Sequence, residues 1–292
     1  MKFYKPKFWE KKNFISIILY PLSIVIYCLI VLKKKVSKIY KTNIPIICVG
    51  NIYIGGTGKT PLSIFLANEL LKRGMIPAIV RKYYKNHKDE HLFLSKYFKN
   101  VIIDESRIKG IFKAEKKNLD CVILDDGLQD YTIKKDVNIL CFNQKQLIGN
   151  GMTFPSGPLR ESLSAIRNAH FVIINGLKDL NFEKKLIKLN KDIDIFYSNY
   201  KIKNFDHLKN EKLLAFAGIG NPGNFFNTLE ENGLKITKKF KFPDHYEYKR
   251  NEIQSIFRIS QKEKLKVVTT EKDFLRIKHL GYDEINSIEE IK

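Results

Sequence analysis

Residues 53–60 read YIGGTGKT, between an apolar run ending in glycine (44–50, IPIICVG) and a run with Leu62, Ile64, Phe65, Leu66, Leu70 and Leu71 at helical spacing before Gly74. Strand, glycine-rich turn, Lys-Thr and helix is the context a phosphate-binding loop requires. Gly55, Gly56 and Gly58 leave room for the backbone N–H groups of the loop, from Tyr53 and Ile54 through Thr57, to approach a polyphosphate. Lys59 is placed to neutralise β- and γ-phosphates, Thr60 to offer its hydroxyl to Mg²⁺, and the helix N-terminus adds partial positive charge. Tyr53 stands where such loops usually begin with glycine, so this is a variant loop. The competing reading is a tight glycine turn in front of a helix.

Around the loop, short apolar runs alternate with helical stretches. Residues 75–80, 101–103, 121–124, 137–142 and 171–175 read as buried strands, and 107–119 supplies an intervening helix. This alternation predicts an α/β fold, a P-loop NTPase-like doubly wound parallel sheet. A polar stretch at 196–212 lacks helical periodicity, and LLAFAGIG after it opens a new strand-and-turn unit. We expect an N-terminal segment over 1–42, a core domain over 43–205 and a second, smaller α/β domain over 206–292.

The strand at 121–124 runs directly into Asp125, Asp126 and Gly127. Strand C-termini line the ligand crevice of such sheets, so these carboxylates are candidates for Mg²⁺; Asp-Asp-Gly is equally good turn chemistry. Arg160, beside Glu161, is a candidate phosphate clamp or a surface ion pair. His245 stands out within FPDHYEY, although a lone histidine is more often structural than catalytic. The four cysteines, Cys28, Cys48, Cys121 and Cys141, have no paired short spacing and read as small buried hydrophobes.

Residues 14–32 carry no charge over 19 positions, about 28 Å as a helix. Lys33, Lys34 and Lys35 follow at once with no small-residue cleavage site, which argues against a signal peptide. Five lysines and one glutamate precede the segment (1–13), and five lysines follow it (33–41). Basic flanks on both sides predict a membrane-associated helix, either spanning or lying in the interface with a break near Pro21, with a buried core helix as the soluble alternative. The net charge of +21 favours anionic partners; an anionic membrane surface suits it, or it reflects compositional drift.

Taken in order, VGNIYIGGTGKTP (49–61), LDDGLQDY (124–131), GNG (149–151), FPSGPLRE (154–161), INGL (174–177), AFAGIGNPGNFF (215–226), FPDHYEY (242–248) and VVTTEKDF (267–274) resemble the tetraacyldisaccharide 4'-kinase family of lipid A biosynthesis. The resemblance implies transfer of the γ-phosphate of ATP to the 4'-hydroxyl of a lipid A disaccharide precursor, with ATP and Mg²⁺ as cofactors. It implies catalytic roles for Lys59, Asp89 and His245, the last two activating the hydroxyl. It places Mg²⁺ among Thr60, Asp125, Asp126 and Glu161, and substrate or nucleotide phosphates near Arg81, Arg107 and Arg160. It implies a monomer at the cytoplasmic face of the inner membrane. The chain departs from the family at Arg81-Lys82-Tyr83-Tyr84, where Arg-Gly-Tyr-Gly is usual, and at Lys88 and His91 around Asp89-Glu90.

Two other readings use the same features. A membrane-bound ATPase or GTPase switch keeps the loop but needs no Asp89–His245 pair. A nucleic-acid binder needs basic residues interleaved with exposed aromatics on one surface, whereas lysine here is spread along the whole chain, so no nucleic acid is expected.

Overall fold

The structure, a computed structural model, describes residues 5–203, 205–278, 280–281, 285 and 287–291. The chain divides into two compact units, one of Lys5–Tyr84 and Leu94–Asn199, the other containing Lys85–Phe93 and Tyr200–Lys292.

The larger unit begins with two helices, α1 (Phe14–Ile18) and α2 (Tyr20–Val36). Asn13 caps α1 through a reciprocal pair of bonds with Ser16. Leu19 separates the helices, and Pro21 falls in the first turn of α2, where its missing N–H costs nothing. Among the described residues no helix is long and apolar enough to cross a membrane. The apolar side chains stay outside: Phe14, Ile17, Leu22, Val25, Leu29 and Leu32 are all at least half exposed. The serines do the opposite. Ser23 is buried and its hydroxyl bonds Thr153 O at 3.0 Å and Ser156 Oγ at 2.7 Å, tying α2 to the 153–156 loop. Trp9 Nε1 donates to Pro155 O of that loop, and Asn150 Nδ2, which also bonds Ser156 O, donates to Phe8 O, so residues 150–156 grip the segment before α1 as well.

The rest of this unit is β1 (Ile46–Gly50), α3 (Lys59–Lys72), β2 (Pro77–Lys82), then α4 (Lys88–Tyr97), whose first residues belong to the smaller unit. It continues with β3 (Val101–Asp104), α5 (Arg107–Lys116), β4 (Cys121–Asp125), β5 (Val137–Asn143), β6 (Phe171–Asn175), α6 (Leu180–Leu189) and β7 (Asp194–Ser198). Among the described residues these strands form a seven-stranded sheet, order β3-β2-β4-β1-β5-β6-β7, parallel at every pairing. β4 is buried at all five positions, as expected of a central parallel strand. α3 and α5 both pack against β2 and β4, and α5 adds Ile111 and Ala114 to an apolar core that includes Cys48, Val80 and Leu124. Cys48, Cys121 and Cys141 are buried, whereas Cys28 on α2 is exposed.

The smaller unit contains β8 (Lys212–Ala217), α7 (Pro222–Glu231), β9 (Lys235–Lys241), α8 (Arg250–Glu263), β10 (Lys266–Thr270), α9 (Glu271–Lys278) and β11 (Glu289–Ile291). Its described strands form a second parallel sheet, order β11-β10-β8-β9. β9 alternates exposed and half-buried positions along its length, as befits a sheet edge, and its lysines guard that edge.

Candidate active site

Parallel register brings the nucleotide-type residues together in the larger unit. Val49 on β1 pairs with Asp125 on β4, so the carboxylate stands beside the start of the glycine loop. Val80 pairs with Leu124, which brings Arg81 level with the same carboxylate. Asp125 is fully buried and saturated: Thr60 Oγ1 donates to Oδ2 and Ser63 Oγ to Oδ1, each at 3.1 Å, and Arg81 closes a short ion pair on Oδ2.

Asp126 turns the other way, in a left-handed backbone conformation (φ 56°) that a short polar side chain tolerates better than most. Its Oδ1 lies 3.5 Å from Lys59 Nζ, and Arg160 Nη1 reaches its two oxygens at 3.0 and 3.1 Å. Burial pushes its carboxyl up, but Lys59, Arg160 and Arg81 together hold it well below the usual carboxylate range. Lys59 is itself lowered by burial, against the pull of Asp126. Arg107 donates to Asp126 O at 2.6 Å and pairs with Asp130 at 3.4 Å, so it braces the backbone of the turn.

The loop is shaped by backbone requirements. Gly55 and Gly58 have φ of 127° and 90°, and Gly58 immediately precedes α3. Tyr53 departs from a bare glycine for a packing reason: its side chain is buried in the apolar core with Leu159 and Phe142. Ile54 N donates to Pro158 O and Arg160 N to Ile52 O, a short ladder that lays Arg160 alongside the loop.

Asp89 and His245 meet within the smaller unit. His245, also left-handed (φ 54°), places Nδ1 3.2 Å from Asp89 Oδ1. Burial raises the Asp89 carboxyl, but the bond from His245 and the charge of Arg276 hold it well below the usual range. An ionised carboxylate only accepts, so Nδ1 of His245 is the donor in this bond; in the neutral ring that tautomer leaves the lone pair on Nε2. His87 stacks on His245 with centroids 4.0 Å apart and planes 5° apart. His87, Glu90 and His245 each bring one ligand atom within 4.8 Å of the others. In a parallel stack the in-plane lone pairs run side by side rather than converging, so this cluster packs the rings and does not build a coordination site.

Residues 15–289 match the family described as Tetraacyldisaccharide-1-P 4'-kinase. The chain belongs to this family of kinases. A tetraacyldisaccharide 4'-kinase of Pelagibacter ubique (strain HTCC1062) is 39% identical over 293 residues, covering 98% of this chain and 92% of the relative. One from Rickettsia felis is 31% identical over 305 residues, with 98% and 91% covered. The crystal structure of an "apo" form of LpxK from Aquifex aeolicus in complex with ATP superposes with a TM-score of 0.70 at 27% identity, covering 95% of this chain and 93% of that one.

Three residues of this kinase carry positions that local sequence does not advertise. Asn51 Nδ2 donates to Tyr53 O, Gly55 O and Thr57 Oγ1, stapling the loop from inside. Gln129 Nε2 donates to Asn51 O and to Glu161 Oε1, both at 3.0 Å, which fixes Glu161 relative to the loop. Arg276 reaches Asp89. Asn51 and Gln129 sit inside the matched motifs VGNIYIGGTGKTP and LDDGLQDY, and that placement was the available signal.

Proposed function

We propose that this chain transfers the γ-phosphate of ATP to the 4'-hydroxyl of a tetraacyldisaccharide 1-phosphate, giving a 1,4'-bisphosphate lipid, at the cytoplasmic face of the inner membrane. The observation that carries the proposal is the convergence of Lys59, Thr60, Arg81 and Arg160 on Asp125 and Asp126 at the end of β4. It is the arrangement of cations, hydroxyl and carboxylates that phosphoryl transfer uses to hold and neutralise a triphosphate.

Lys59 and Arg160 lie where they neutralise charge gathering on the transferred group, and the loop N–H groups hold the β-phosphate. The donor set Thr60, Asp125, Asp126 and Glu161 is all oxygen and rich in carboxylate, which fits a hard divalent cation. Mg²⁺ held by these residues would screen the β- and γ-phosphate oxygens. In the smaller unit His245 Nε2 takes the proton of the 4'-hydroxyl while Asp89 stabilises the resulting imidazolium through Nδ1–H. The hydroxyl oxygen bonds to the γ-phosphorus, the bond from phosphorus to the β–γ bridging oxygen breaks, ADP leaves, and the proton passes from His245 to solvent.

The exposed apolar side chains of α1 and α2, followed by Lys33, Lys34 and Lys35, suit a helix pair lying in the interface of an anionic membrane, where the acceptor lipid resides.

The test is transfer of labelled γ-phosphate from ATP to a lipid A disaccharide 1-phosphate in detergent micelles, with Asp89→Ala and His245→Ala beside the parent. Labelled lipid from the parent, and a loss on the order of 10²-fold or more in each variant, is expected. Labelled inorganic phosphate with no labelled lipid overturns the proposal in favour of a nucleotide switch.

A further inference from the structure

The smaller unit contains a buried ladder of alternating charge that ends on His245. Asp273, at the start of α9, is fully buried and accepts from Gly218 N at 3.0 Å, Tyr248 Oη at 2.9 Å and Thr270 Oγ1 at 2.6 Å. Arg276, one turn further along α9, places Nη1 2.7 Å from Asp273 Oδ1 and 2.5 Å from Gly218 O. Its Nη2 lies 2.6 Å from Asp89 Oδ2, while the other oxygen of Asp89 meets His245 Nδ1. The Arg276 and Asp89 side chains are 9% and 3% exposed, so water competes little for either.

We infer that Arg276 is a positioning residue for phosphoryl transfer, fixing the Asp89 carboxylate so that one oxygen serves the guanidinium and the other serves His245. The inference rests on the proposed role of His245 as the base. A short carboxylate side chain bonded on one oxygen only can still rotate about its last torsion. Bonded on both, it offers Nδ1–H of His245 an acceptor in one place, and so keeps Nε2 aimed. The planar fork of an arginine is suited to spanning Asp89 and Asp273 together, whereas an ammonium is a single point charge.

Charge favours the same role. Two carboxylates flank one guanidinium, and their surplus negative charge lies on the side of the imidazole that becomes cationic as the proton arrives. Without Arg276, Asp89 and Asp273 are two buried carboxylates with no cation between them, and a proton on Asp89 competes with its bond to His245. Among the described residues, the other titratable groups around the pair are His87, stacked on His245, Glu90 held by Lys272 at 3.1 Å, and Asp244, 3.8 Å from His245 Nε2. Arg276 is the cation bonded directly to Asp89 in this set.

The experiment compares Arg276→Met and Arg276→Lys with the parent in two readouts. The first is kcat and KM against pH with ATP and the lipid acceptor. Arg276→Met is expected to lower kcat on the order of 10²-fold with KM for ATP little changed, and to move the acid limb of kcat to higher pH. Arg276→Lys is expected to restore part of kcat and move the limb back. The second readout needs no turnover: the Asp89 carboxyl carbon, followed by NMR, stays ionised below the usual carboxylate range in the parent and titrates at higher pH in Arg276→Met. Variants with parent-like kcat and an unmoved acid limb overturn the inference. So does an Asp89 titration identical in parent and Arg276→Met, and that result decides the question even where the parent phosphorylates no lipid, an outcome that counts separately against the proposed function. If Arg276→Met does not unfold cooperatively in urea, Arg276→Lys decides both readouts by the same criteria.

Discussion

Thr60 donates its hydroxyl to Asp125 across 3.1 Å, joining the first turn of α3 to the last residue of β4. The bond locks the end of the phosphate loop to the adjacent strand of the parallel sheet. It also places the two residues expected to share a divalent cation within contact of each other.

Removing the loop lysine tests the charge argument. Lys59→Met takes the ammonium away from Asp126 and from the proposed path of the γ-phosphate. The expected result is a fall in kcat on the order of 10²–10³-fold. Radiolabel transfer at saturating ATP checks it, and a rate within a few-fold of the parent removes Lys59 from the mechanism.

The Arg81–Asp125 pair makes a stability prediction. Its side chains are 5% and 0% exposed, so breaking it leaves an uncompensated buried charge. Asp125→Asn is expected to cost about 3–5 kcal/mol, and the double change Arg81→Met with Asp125→Asn less than the sum of the two single changes. Urea denaturation of the four proteins closes the cycle; additive losses show that the two groups do not interact.

Acid sensitivity follows from two depressed carboxyls. Asp89 and Asp126 both have folded-state values below the usual carboxylate range, each against the opposing effect of burial. A depressed group contributes stability that is fully present above its unfolded value, about 3.9, and is lost as pH falls from there through the folded value. Unfolding free energy is therefore expected to be insensitive to these two groups from about pH 5 to 7, with a decline beginning at about pH 4. Asp89→Asn should flatten part of the decline. An unchanged acid slope in that variant removes Asp89 as a contributor.

Membrane association is predicted to depend on both apolar and basic residues of α2. Replacing Leu22, Val25 and Leu29 with serine removes exposed apolar surface without touching the buried Ser23 contacts. Replacing Lys33, Lys34 and Lys35 with glutamine should cost about 1 kcal/mol of vesicle binding for each charge. Sedimentation with phosphatidylglycerol vesicles measures both. The lysine set should lose most at low salt, and binding unaffected by either set argues against an interfacial role for α2.

Much of the larger unit was legible in the sequence because its signals are local. A buried parallel strand is a run of apolar residues, and a glycine turn before Lys-Thr is contiguous, so β1, β4, α3 and the phosphate loop could be read directly. β7 was harder: it forms at Asp194–Ser198, partly within a stretch read as polar, because it lies at the edge of the sheet and alternates exposed with half-buried positions. β9 is equally quiet, with four lysines in seven residues.

The sequence by itself determined the chemistry available: a phosphate loop, two carboxylates at a strand end, an apolar helix with basic flanks, and ordered motifs that resemble one kinase family. The tertiary structure decided how those groups are held. Asp89 and His245 lie 156 residues apart in the chain, and Asp89 and Arg276 lie 187 apart. No window of sequence contains such a pair. Buried charges persist only where the fold supplies counter-charge and hydrogen-bond partners at the right distance, and that supply comes from whichever elements pack together. Local periodicity therefore revealed where the strands run, while folding alone chose Arg276 for Asp89 and Arg81 for Asp125.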